Sequence, residues 1–432
     1  MKPIIGLEVH VELKTKSKMF CGCSADYFGK EPNTHTCPVC LGLPGALPVP
    51  NKTAIDWCIK IGLALNCEIA DFSKFDRKNY FYPDLAKGYQ ISQYDKPFCE
   101  NGEVILSNNK RIMIRRVHME EDTGKLIHEG DSSLIDFNRS GVPLVEIVTE
   151  PDFENATEVK EYLQKLQQIV RYLEVSNADM EKGDMRLEPN ISLSPDGNLP
   201  KYKVEVKNIN SFSFVEKAIN FEIKRQGEIL DKGGTPAQET RGWDEKSQST
   251  KSQRLKEEAN DYRYFPEPDI PPLNFKEVYI EAIKAEMPEL PDAKLARFQK
   301  DFGLSYYDAE ILTRNVKLAD YFEEAIGLEK ATAKQIANAI INKKINIEEI
   351  LPAKLIEMIQ EEAKVEEVSS GDLSKIVSEV LSENEKAVKE YKAGKEPALQ
   401  FLIGQTMKKI EKKIDLNLVK GAILKALEIT TP

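Results

Sequence analysis

Residues 5–13 alternate strictly between apolar and polar side chains, and this pattern constrains the fold more than any other segment. The odd positions from 7 to 13 are Leu or Val, whereas the even positions carry Glu8, His10 and Glu12. A period of two predicts a β-strand with one buried face. Its open face can hold a hard divalent cation if neighbouring strands add carboxylates. An ordinary solvated strand has the same pattern, so this segment alone leaves both interpretations open.

Later segments repeat the combination of one apolar face with one charged or amide-bearing face. They are residues 116–125, 144–150, 185–193 and 202–207. Several such strands predict a sheet whose polar face is a lined site. Carboxylates for Mg²⁺ beside Arg and Lys for phosphate oxygens are typical of a metal–nucleotide site. A helix is predicted over residues 52–65 from the spacing of its apolar side chains.

The loop that follows the first strand contains two close cysteine pairs. They are Cys21-Gly22-Cys23 and Cys37-Pro38-Val39-Cys40. In a chain without a secretory signal, such pairs predict a structural zinc site, and four Cys ligands make that site closed and non-catalytic. The chain has seven Cys, an odd number that argues against a disulfide framework. The other three, Cys58, Cys67 and Cys99, lie in apolar segments and are interpreted as small buried hydrophobes.

Residues 74–84 and 87–93 mix cations, amides and aromatic rings without helical or strand periodicity. Nucleic-acid bases and adenine stack on aromatic rings, and phosphates bind Lys, Arg and amide donors. A packed aromatic loop has the same composition, so spacing alone does not decide between the two. The proline-rich residues 261–272 are predicted to be extended, because proline at this density is incompatible with a helix or a central strand.

Two short loop-like segments divide the chain into three predicted domains. One lies at residues 287–292, with Asp292 as a helix N-cap, and the other at residues 369–371. We therefore predict a sheet-bearing domain over residues 1–292 that includes the zinc-binding loop 21–40. A helical domain over 293–371 and a helical tail domain over 372–432 follow. The lysine-rich end of the tail fits either a polyanion-binding surface or a solvated helix face.

Composition and missing motifs exclude several classes of protein. A formal net charge of −11 is not that of a generally basic nucleic-acid-binding protein. No apolar run approaches the ~18 residues of a membrane span and no signal peptide is evident, so we expect a cytoplasmic protein with no membrane association. The P-loop and G-x-S-x-G motifs are absent, as is a convincing Cys–His nucleophile. If ammonia is a reactant, this chain has no obvious site that produces it.

Four segments together identify a family resemblance. Residues 5–13, 74–84, 118–122 and 261–269 closely resemble the B subunit of the aspartyl/glutamyl-tRNA amidotransferases. The resemblance extends from the first strand to the C-terminus. It implies an α+β protein whose first domain is a mainly antiparallel-sheet cradle, similar to the glutamine synthetase and guanido kinase catalytic fold. All-α helical and tail domains follow, and the tail contacts tRNA.

The resemblance also implies an activity and its partners. Such proteins act in a heterotrimeric, glutamine-dependent carbon–nitrogen ligase that converts Glu-tRNA(Gln) to Gln-tRNA(Gln), Asp-tRNA(Asn) to Asn-tRNA(Asn), or both. In that ligase the family member binds the tRNA acceptor end and phosphorylates the side-chain carboxylate with ATP and Mg²⁺. Ammonia from the amidase-type A subunit then displaces the phosphate, and the small C subunit holds the other two together.

Individual positions match the motifs of that family. The positions implied to be catalytic and to bind Mg²⁺ are Glu8, His10, Glu120 and Glu146, with Glu121 and Glu150 as close seconds. Positions implied to contact the nucleotide or the tRNA end are Lys78, Asn79, Tyr80 and Tyr82, and Arg186 and Lys207 are weaker candidates for phosphate contacts. Imidazole is an unusual Mg²⁺ ligand, so His10 either holds a metal-bound water or belongs to a site that also accepts Mn²⁺. The four-cysteine Zn²⁺ site occurs in part of the family, and all four ligands are present here.

One departure and two alternatives accompany the resemblance. The stretch from about Lys344 to Asp372 is shorter than expected, which affects the predicted tRNA-selection surface. The inserted domain of the archaeal relative specific for Glu-tRNA(Gln) is not found, which favours the bacterial type. The main alternative is a non-catalytic, zinc-containing tRNA-binding module, and a second is a free-standing ligase. Acidic clusters on separate strands argue against the module, because carboxylates without metal repel RNA.

Overall fold

A computed structural model describes residues 1–255, 262–363, 370–410 and 416–429. The chain divides into two compact units. One unit is Met1–Arg297 with Thr313–Val316, and the other is Phe298–Leu312 with Lys317–Pro432. The three-domain division at 292 and 371 stays a prediction. Asp261 of the fourth family segment, Ser369 of the second boundary and part of the lysine-rich end lie outside the described residues.

The strands all lie in the first unit. They are β1 (Lys2–Glu12), β2 (Glu68–Ile69), β3 (Phe72–Ser73), β4 (Asp76–Asn79), β5 (Tyr89–Ser92), β6 (Cys99–Ile105), β7 (Arg111–Glu121), β8 (Lys125–Glu129), β9 (Ser132–Asp136), β10 (Pro143–Thr149), β11 (Met185–Ser194), β12 (Val204–Lys207), β13 (Glu239–Asp244), β14 (Ser249–Leu255), β15 (Phe265–Pro266) and β16 (Leu273–Asn274).

Most of the described helices lie after residue 276. The helices are α1 (Lys52–Ala64), α2 (Ala156–Tyr172), α3 (Phe212–Asp231), α4 (Glu277–Ala285), α5 (Pro291–Phe302), α6 (Tyr306–Thr313), α7 (Val316–Gly327), α8 (Ala333–Asn342), α9 (Pro352–Ala363), α10 (Ser370–Glu383), α11 (Glu385–Lys392), α12 (Glu396–Lys409) and α13 (Leu416–Ile429). None of these helices, within the described residues, is long and apolar enough to cross a membrane.

A nine-stranded sheet dominates the first unit. Its order is β14-β13-β12-β11-β1-β10-β7-β6-β2. Neighbouring strands run antiparallel, except that β12 and β13 are parallel. The predicted combination of helices with a mostly antiparallel sheet is therefore confirmed. The segments predicted as strands form β1, β7, β10, β11 and β12, and β1 occupies the middle position of the sheet.

One face of this sheet forms the hydrophobic core with helices. Leu7, Val9 and Val11 of β1 are buried in the same core as Ile59 of α1 and Leu163 of α2. Helix α3 also packs on β11 and α2. Because side chains alternate across a strand, burying the odd residues of β1 directs its even residues to the opposite face. That face carries the polar side chains.

Smaller sheets and loops border the polar face. The three-stranded sheet has the order β15-β4-β5, and β5 packs against β7. Strand β15 places a proline at a sheet edge, which agrees with the extended conformation predicted for residues 261–272. Strands β8 and β9 form a separate hairpin between β7 and β10.

The second unit is helical over its described residues. Phe298, Phe302 and Phe322 form an aromatic cluster with ring centroids 5.1–5.7 Å apart. Another core joins α10, α12 and α13 through Val377, Leu402 and Ile423, among others. This agrees with the helical character predicted for the C-terminal part of the chain.

Candidate active site and cysteine cluster

The register of the central strands places four polar side chains in one row across the sheet. His10 of β1 lies opposite Glu146 of β10 and Arg186 of β11, and Glu146 lies opposite His118 of β7. Glu120 is two residues beyond His118 and therefore projects from the same face of β7. Residues that are more than a hundred positions apart in the sequence thus meet on the polar face.

His10, Glu120 and Glu146 form the first acidic cluster. Their ligand atoms all lie within 4.8 Å of one another. His10 Nε2 is 3.9 Å from a Glu120 oxygen and 3.7 Å from a Glu146 oxygen. His118 lies beside this cluster, and its Nε2 is 3.1 Å from a carboxylate oxygen of Glu146. Two buried carboxylates and an imidazole converging in this way are suited to one shared divalent cation.

Nearby cations keep the two carboxylates of this cluster ionised. Burial opposes the ionisation of Glu120, but Lys78 and His118 outweigh it and hold its pKa well below the usual range. Burial also opposes the ionisation of Glu146, but chiefly His118 lowers its pKa to about 2. Burial disfavours the charged form of His118, yet Glu146 and Glu120 raise its pKa. Both carboxylates are therefore ionised at neutral pH, the form in which they can bind a metal ion.

Glu8, Glu188 and Glu205 form a second acidic cluster on the same face. Their ligand oxygens lie within 4.8 Å of one another. Asn190 donates its side-chain N–H to Glu8 at 3.0 Å. Burial raises the pKa of Glu188, although Lys207 acts against it. The four residues predicted to share one metal site are thus divided, since Glu8 lies with this second cluster.

Lys78 and Tyr80 lie beside the first cluster. Lys78 Nζ is 3.6 Å from Glu120 Oε1 and 5.2 Å from the ring centre of Tyr262. The rings of Tyr80 and Tyr262 meet edge to face, with centroids 5.8 Å apart. Asn79 instead donates its side-chain N–H to the carbonyl of Arg263 at 2.9 Å. Tyr82 is 58% exposed.

The segment that contains Tyr262 is fastened to the small sheet by a bidentate ion pair. Arg77 on β4 donates to both carboxylate oxygens of the buried Glu267, at 2.6 and 2.8 Å. Tyr264 stacks on Tyr94, with centroids 4.4 Å apart. A bidentate pair fixes orientation as well as distance, so this contact holds the aromatic residues next to Lys78.

The remaining candidates are neutralised by neighbouring groups. Arg186 donates to Asp122 at 2.5 Å, and Lys207 donates to Glu188 at 2.8 Å. The two close seconds lie outside both clusters. Glu121 pairs with Lys87 and Glu150 with Arg115, each at 2.6 Å.

The four cysteines of the loop converge. The Sγ atoms of Cys21, Cys23, Cys37 and Cys40 lie within 4.8 Å of one another. A tetrahedral site with Zn–S bonds of ~2.3 Å needs sulfur–sulfur separations of roughly 3.8 Å, and those of Cys37 and Cys40 are 3.9 Å apart. A hydrogen bond with Cys21 is the main cause that lowers the pKa of Cys40 to about 4. The cluster can bind a metal ion.

The cysteine loop is anchored to the connection between β9 and β10 by a buried lysine. Lys18 is fully buried, and its Nζ donates to the carbonyls of His35 at 2.7 Å and Phe137 at 3.3 Å. It also lies 3.8 Å from the sulfur of Cys40. Asn138 extends the same connection by accepting from the backbone N–H of His35. The other three cysteines are buried, as predicted from their apolar surroundings.

Comparisons with known proteins decide the family. Residues 3–281 match the family model described as the GatB/GatE catalytic domain, and residues 327–427 match the one described as the GatB domain. A protein from Persephonella marina, named as the B subunit of an aspartyl/glutamyl-tRNA(Asn/Gln) amidotransferase, is 47% identical over 99% of each chain. The chain belongs to this B-subunit family. Proteins of the same name from Caldanaerobacter subterraneus and Carboxydothermus hydrogenoformans are 46% and 47% identical, over 98% and 94% of each chain.

These B-subunit relatives confirm the resemblance and give information on the predicted shortening. The alignment with the P. marina protein extends over 473 residues, whereas this chain has 432. That relative therefore contains residues that this chain lacks. The proposed location of the shortening, from about Lys344 to Asp372, stays a prediction, and residues 364–369 within it lie outside the described part of the chain.

Sequence reasoning did not select His118, Glu188 or Glu205 as site residues, although each lay in a segment predicted to be a strand. His118 is two residues from Glu120, and Glu188 is two residues from Arg186. A period of two therefore predicts that each lies on the polar face of its strand. Which polar faces meet depends on strand order and register, and no local pattern contains that information.

A buried ion-pair network beside the first cluster gives a stability prediction. Burial opposes the ionisation of Asp122, but Arg139 and Arg186 hold its pKa below the usual value. Asp122→Asn removes the carboxylate that both arginines share and leaves Glu12 as the remaining carboxylate near Arg186, at 3.8 Å, so we expect the free energy of unfolding at pH 7 to fall by roughly 1.5–3 kcal/mol. The difference from wild type should persist down to about pH 4, near the unfolded pKa of Asp, and shrink as the pH falls towards the lower folded value.

Urea unfolding monitored by fluorescence at several pH values measures this effect. The matched control is Asp26→Asn, which changes an exposed Asp paired with Lys30 at 3.8 Å. A variant of Asp122 as stable as that of Asp26 at pH 7 would contradict the prediction.

Proposed function

We propose that the chain binds the acceptor end of Glu-tRNA(Gln), Asp-tRNA(Asn) or both, and uses ATP with Mg²⁺ to phosphorylate the side-chain carboxylate of the attached amino acid. The relatives are named as the B subunit of an aspartyl/glutamyl-tRNA(Asn/Gln) amidotransferase, and this name supports the proposal. The observation that carries it is the convergence of His10, Glu120 and Glu146 beside Lys78. In such a site His10, Glu120 and Glu146 would bind a metal ion, and Lys78 would bind a phosphate oxygen.

The proposed reaction has two steps. In the first, a carboxylate oxygen forms a bond to the γ-phosphorus of ATP, the bond to the bridging oxygen breaks, and ADP leaves with that electron pair. In the second, ammonia forms the C–N bond, the C–O bond to phosphate breaks, and nitrogen loses a proton to give the amide. Phosphorylation is needed because an oxide is a poor leaving group and phosphate is a good one.

The residues divide between metal binding and substrate orientation. Glu120 and Glu146 would hold Mg²⁺ at the first cluster, and Glu8 would do so with Glu188 and Glu205 at the second. When bound, Mg²⁺ neutralises phosphate oxygens in such reactions. His10 fits a water-mediated contact or a site that also accepts Mn²⁺. Lys78 lies where a phosphate oxygen approaching Glu120 would meet it.

The aromatic residues would bind the nucleotide or the tRNA end. Tyr80 lies beside Lys78, whereas the exposed Tyr82 is available to stack on a base. Asn79 supports this surface by holding the backbone at Arg263. Arg186 and Lys207 neutralise carboxylates in this structure. We therefore assign them first to positioning the side chains of the polar face, and only second to contacting phosphate.

Other parts of the proposal concern fold and partners. The antiparallel sheet with one polar face supports the proposed likeness of the first domain to the glutamine synthetase and guanido kinase catalytic fold. An amidase-type A subunit would supply ammonia and a small C subunit would hold the assembly together, with the helical tail contacting tRNA. Zn²⁺ would stabilise the cysteine loop. Because aminoacyl-tRNA is used in translation, the proposed location is the cytoplasm.

The test is transfer of the labelled γ-phosphate of ATP by the heterotrimeric complex with Mg²⁺ and Glu-tRNA(Gln) or Asp-tRNA(Asn). We expect phosphate release that requires the esterified amino acid and is absent with uncharged tRNA. Release that does not depend on the aminoacyl group would contradict the proposal, and absence of release would favour the non-catalytic, zinc-containing tRNA-binding module.

A further inference from the structure

Three of the cations on the polar face already have carboxylate partners. Lys78 lies 3.6 Å from Glu120, and Arg186 lies 2.5 Å from Asp122. Lys207 lies within 3.3 Å of both Glu188 and Glu205. Their charge is therefore largely offset before any substrate binds. Arg116 on β7 is different.

Arg116 has few contacts for a partly buried guanidinium. Its Nη1 donates to the carbonyl of Tyr94 at 3.4 Å, a long hydrogen bond. Its Nε is buried and has no hydrogen-bond partner in the described part of the chain. Among the described residues no carboxylate forms an ion pair with it, whereas the adjacent Arg115 makes a bidentate pair with Glu150. A buried donor without an acceptor is destabilising, so an anionic ligand that accepts from Arg116 would be favoured.

The position of Arg116 on the sheet identifies where such an anion would lie. Arg116 precedes His118 by two residues, so both project from the polar face of β7. Its register partner on β10 is Val148, which in turn lies opposite Glu8 on β1. Two strand spacings separate Arg116 from Glu8, or about 10 Å along the hydrogen-bonding direction. Arg116 therefore borders both acidic clusters.

We propose that Arg116 is a further catalytic residue, whose guanidinium contacts the γ-phosphoryl group of ATP during its transfer. The inference rests on the proposed function. As the carboxylate oxygen bonds to phosphorus and the bridging oxygen leaves with its electron pair, negative charge is distributed over the equatorial and leaving oxygens. A guanidinium stays protonated and offers several N–H donors in a fixed plane. Arg116 stabilises this charge and transfers no proton.

The test compares Arg116→Gln, Arg116→Lys and the control Arg115→Gln in the heterotrimeric complex. Arg115 is the adjacent arginine, exposed and paired with Glu150, so its variant controls for loss of one positive charge. For Arg116→Gln we expect the kcat of aminoacyl-dependent phosphoryl transfer to fall about 100-fold, as when a preorganised charge donor is removed. The KM for ATP should change less. Arg116→Lys should recover part of the loss, and Arg115→Gln should stay close to wild type.

A binding measurement separates catalysis from a defect in folding. ADP with aluminium fluoride mimics the phosphoryl group in transfer, so the wild-type complex should bind it more tightly than ADP alone. Arg116→Gln should lose this preference while its affinity for ADP and its melting temperature are retained. Equal rates for Arg116→Gln and Arg115→Gln would overturn the inference, as would a change confined to the KM for aminoacyl-tRNA. Failure of the wild-type complex to show aminoacyl-dependent transfer would instead refute the proposed function.

Discussion

Glu120→Gln is expected to lower the rate of phosphoryl transfer about 1,000-fold, because a metal ion contributes several kcal/mol to the stability of such a transition state. Glu120 is buried, and it lies between His10, His118 and Lys78. The amide keeps the size of the side chain but removes the negative charge that holds these cations and a divalent ion together. The affinity for Mn²⁺, measured by electron paramagnetic resonance, should fall with the rate.

The control for this variant is Glu103→Gln. Glu103 belongs to β6 of the same sheet and pairs with Arg111, away from both acidic clusters. A second variant, Glu146→Gln, should reproduce the loss if both carboxylates hold the same ion. Full activity in Glu120→Gln, with wild-type Mn²⁺ binding, would rule out this site as the metal centre.

Cys40→Ser is expected to abolish stoichiometric zinc binding and to loosen the cysteine loop. The pKa of Cys40 is lowered to about 4, chiefly by a hydrogen bond with Cys21, and its sulfur is next to the buried Lys18. Since ligands of a structural zinc ion contribute to folding free energy, the first unit should melt at a lower temperature. Zinc content by mass spectrometry of metals and thermal unfolding followed by circular dichroism measure the two effects.

The matched control is Cys67→Ala, which removes a buried thiol outside the cluster. Its zinc content should equal that of wild type. Because Lys18 and Asn138 link the loop to the connection that enters β10, loss of zinc should affect Mg²⁺-dependent activity only indirectly. Unchanged zinc content in Cys40→Ser would contradict a four-cysteine site.

The alternation of polar and apolar residues predicted the strands because it is a local property of the chain. The apolar residues of β1 are buried, as a period of two requires. The helix predicted over residues 52–65 is α1, which begins after an Asn51 side chain that caps it. Both predictions needed only nearby residues. The same holds for the cysteine cluster, whose pairs are close in sequence.

The features that the sequence did not predict depend on pairing between strands that are distant in the chain. Glu8 and His10 are neighbours on one face of β1, yet they belong to different acidic clusters because their cross-strand partners differ. Arg186 and Lys207 were candidates for phosphate contacts by residue type, but contacts with Asp122 and Glu188 neutralise them. Arg116 remains without an ion-pair partner among the described residues for the same reason. Register between distant strands determines these pairings.

The most direct test of carboxylate phosphorylation follows oxygen-18 from the aminoacyl side chain. The heterotrimeric complex would receive ATP, Mg²⁺, glutamine and Glu-tRNA(Gln) whose glutamate side-chain carboxylate carries oxygen-18. If the carboxylate is phosphorylated before amide formation, the released phosphate should contain one labelled oxygen for each amide formed. Unlabelled phosphate accompanied by amide formation would contradict the proposal, because the C–O bond would then have broken without passing its oxygen to phosphorus.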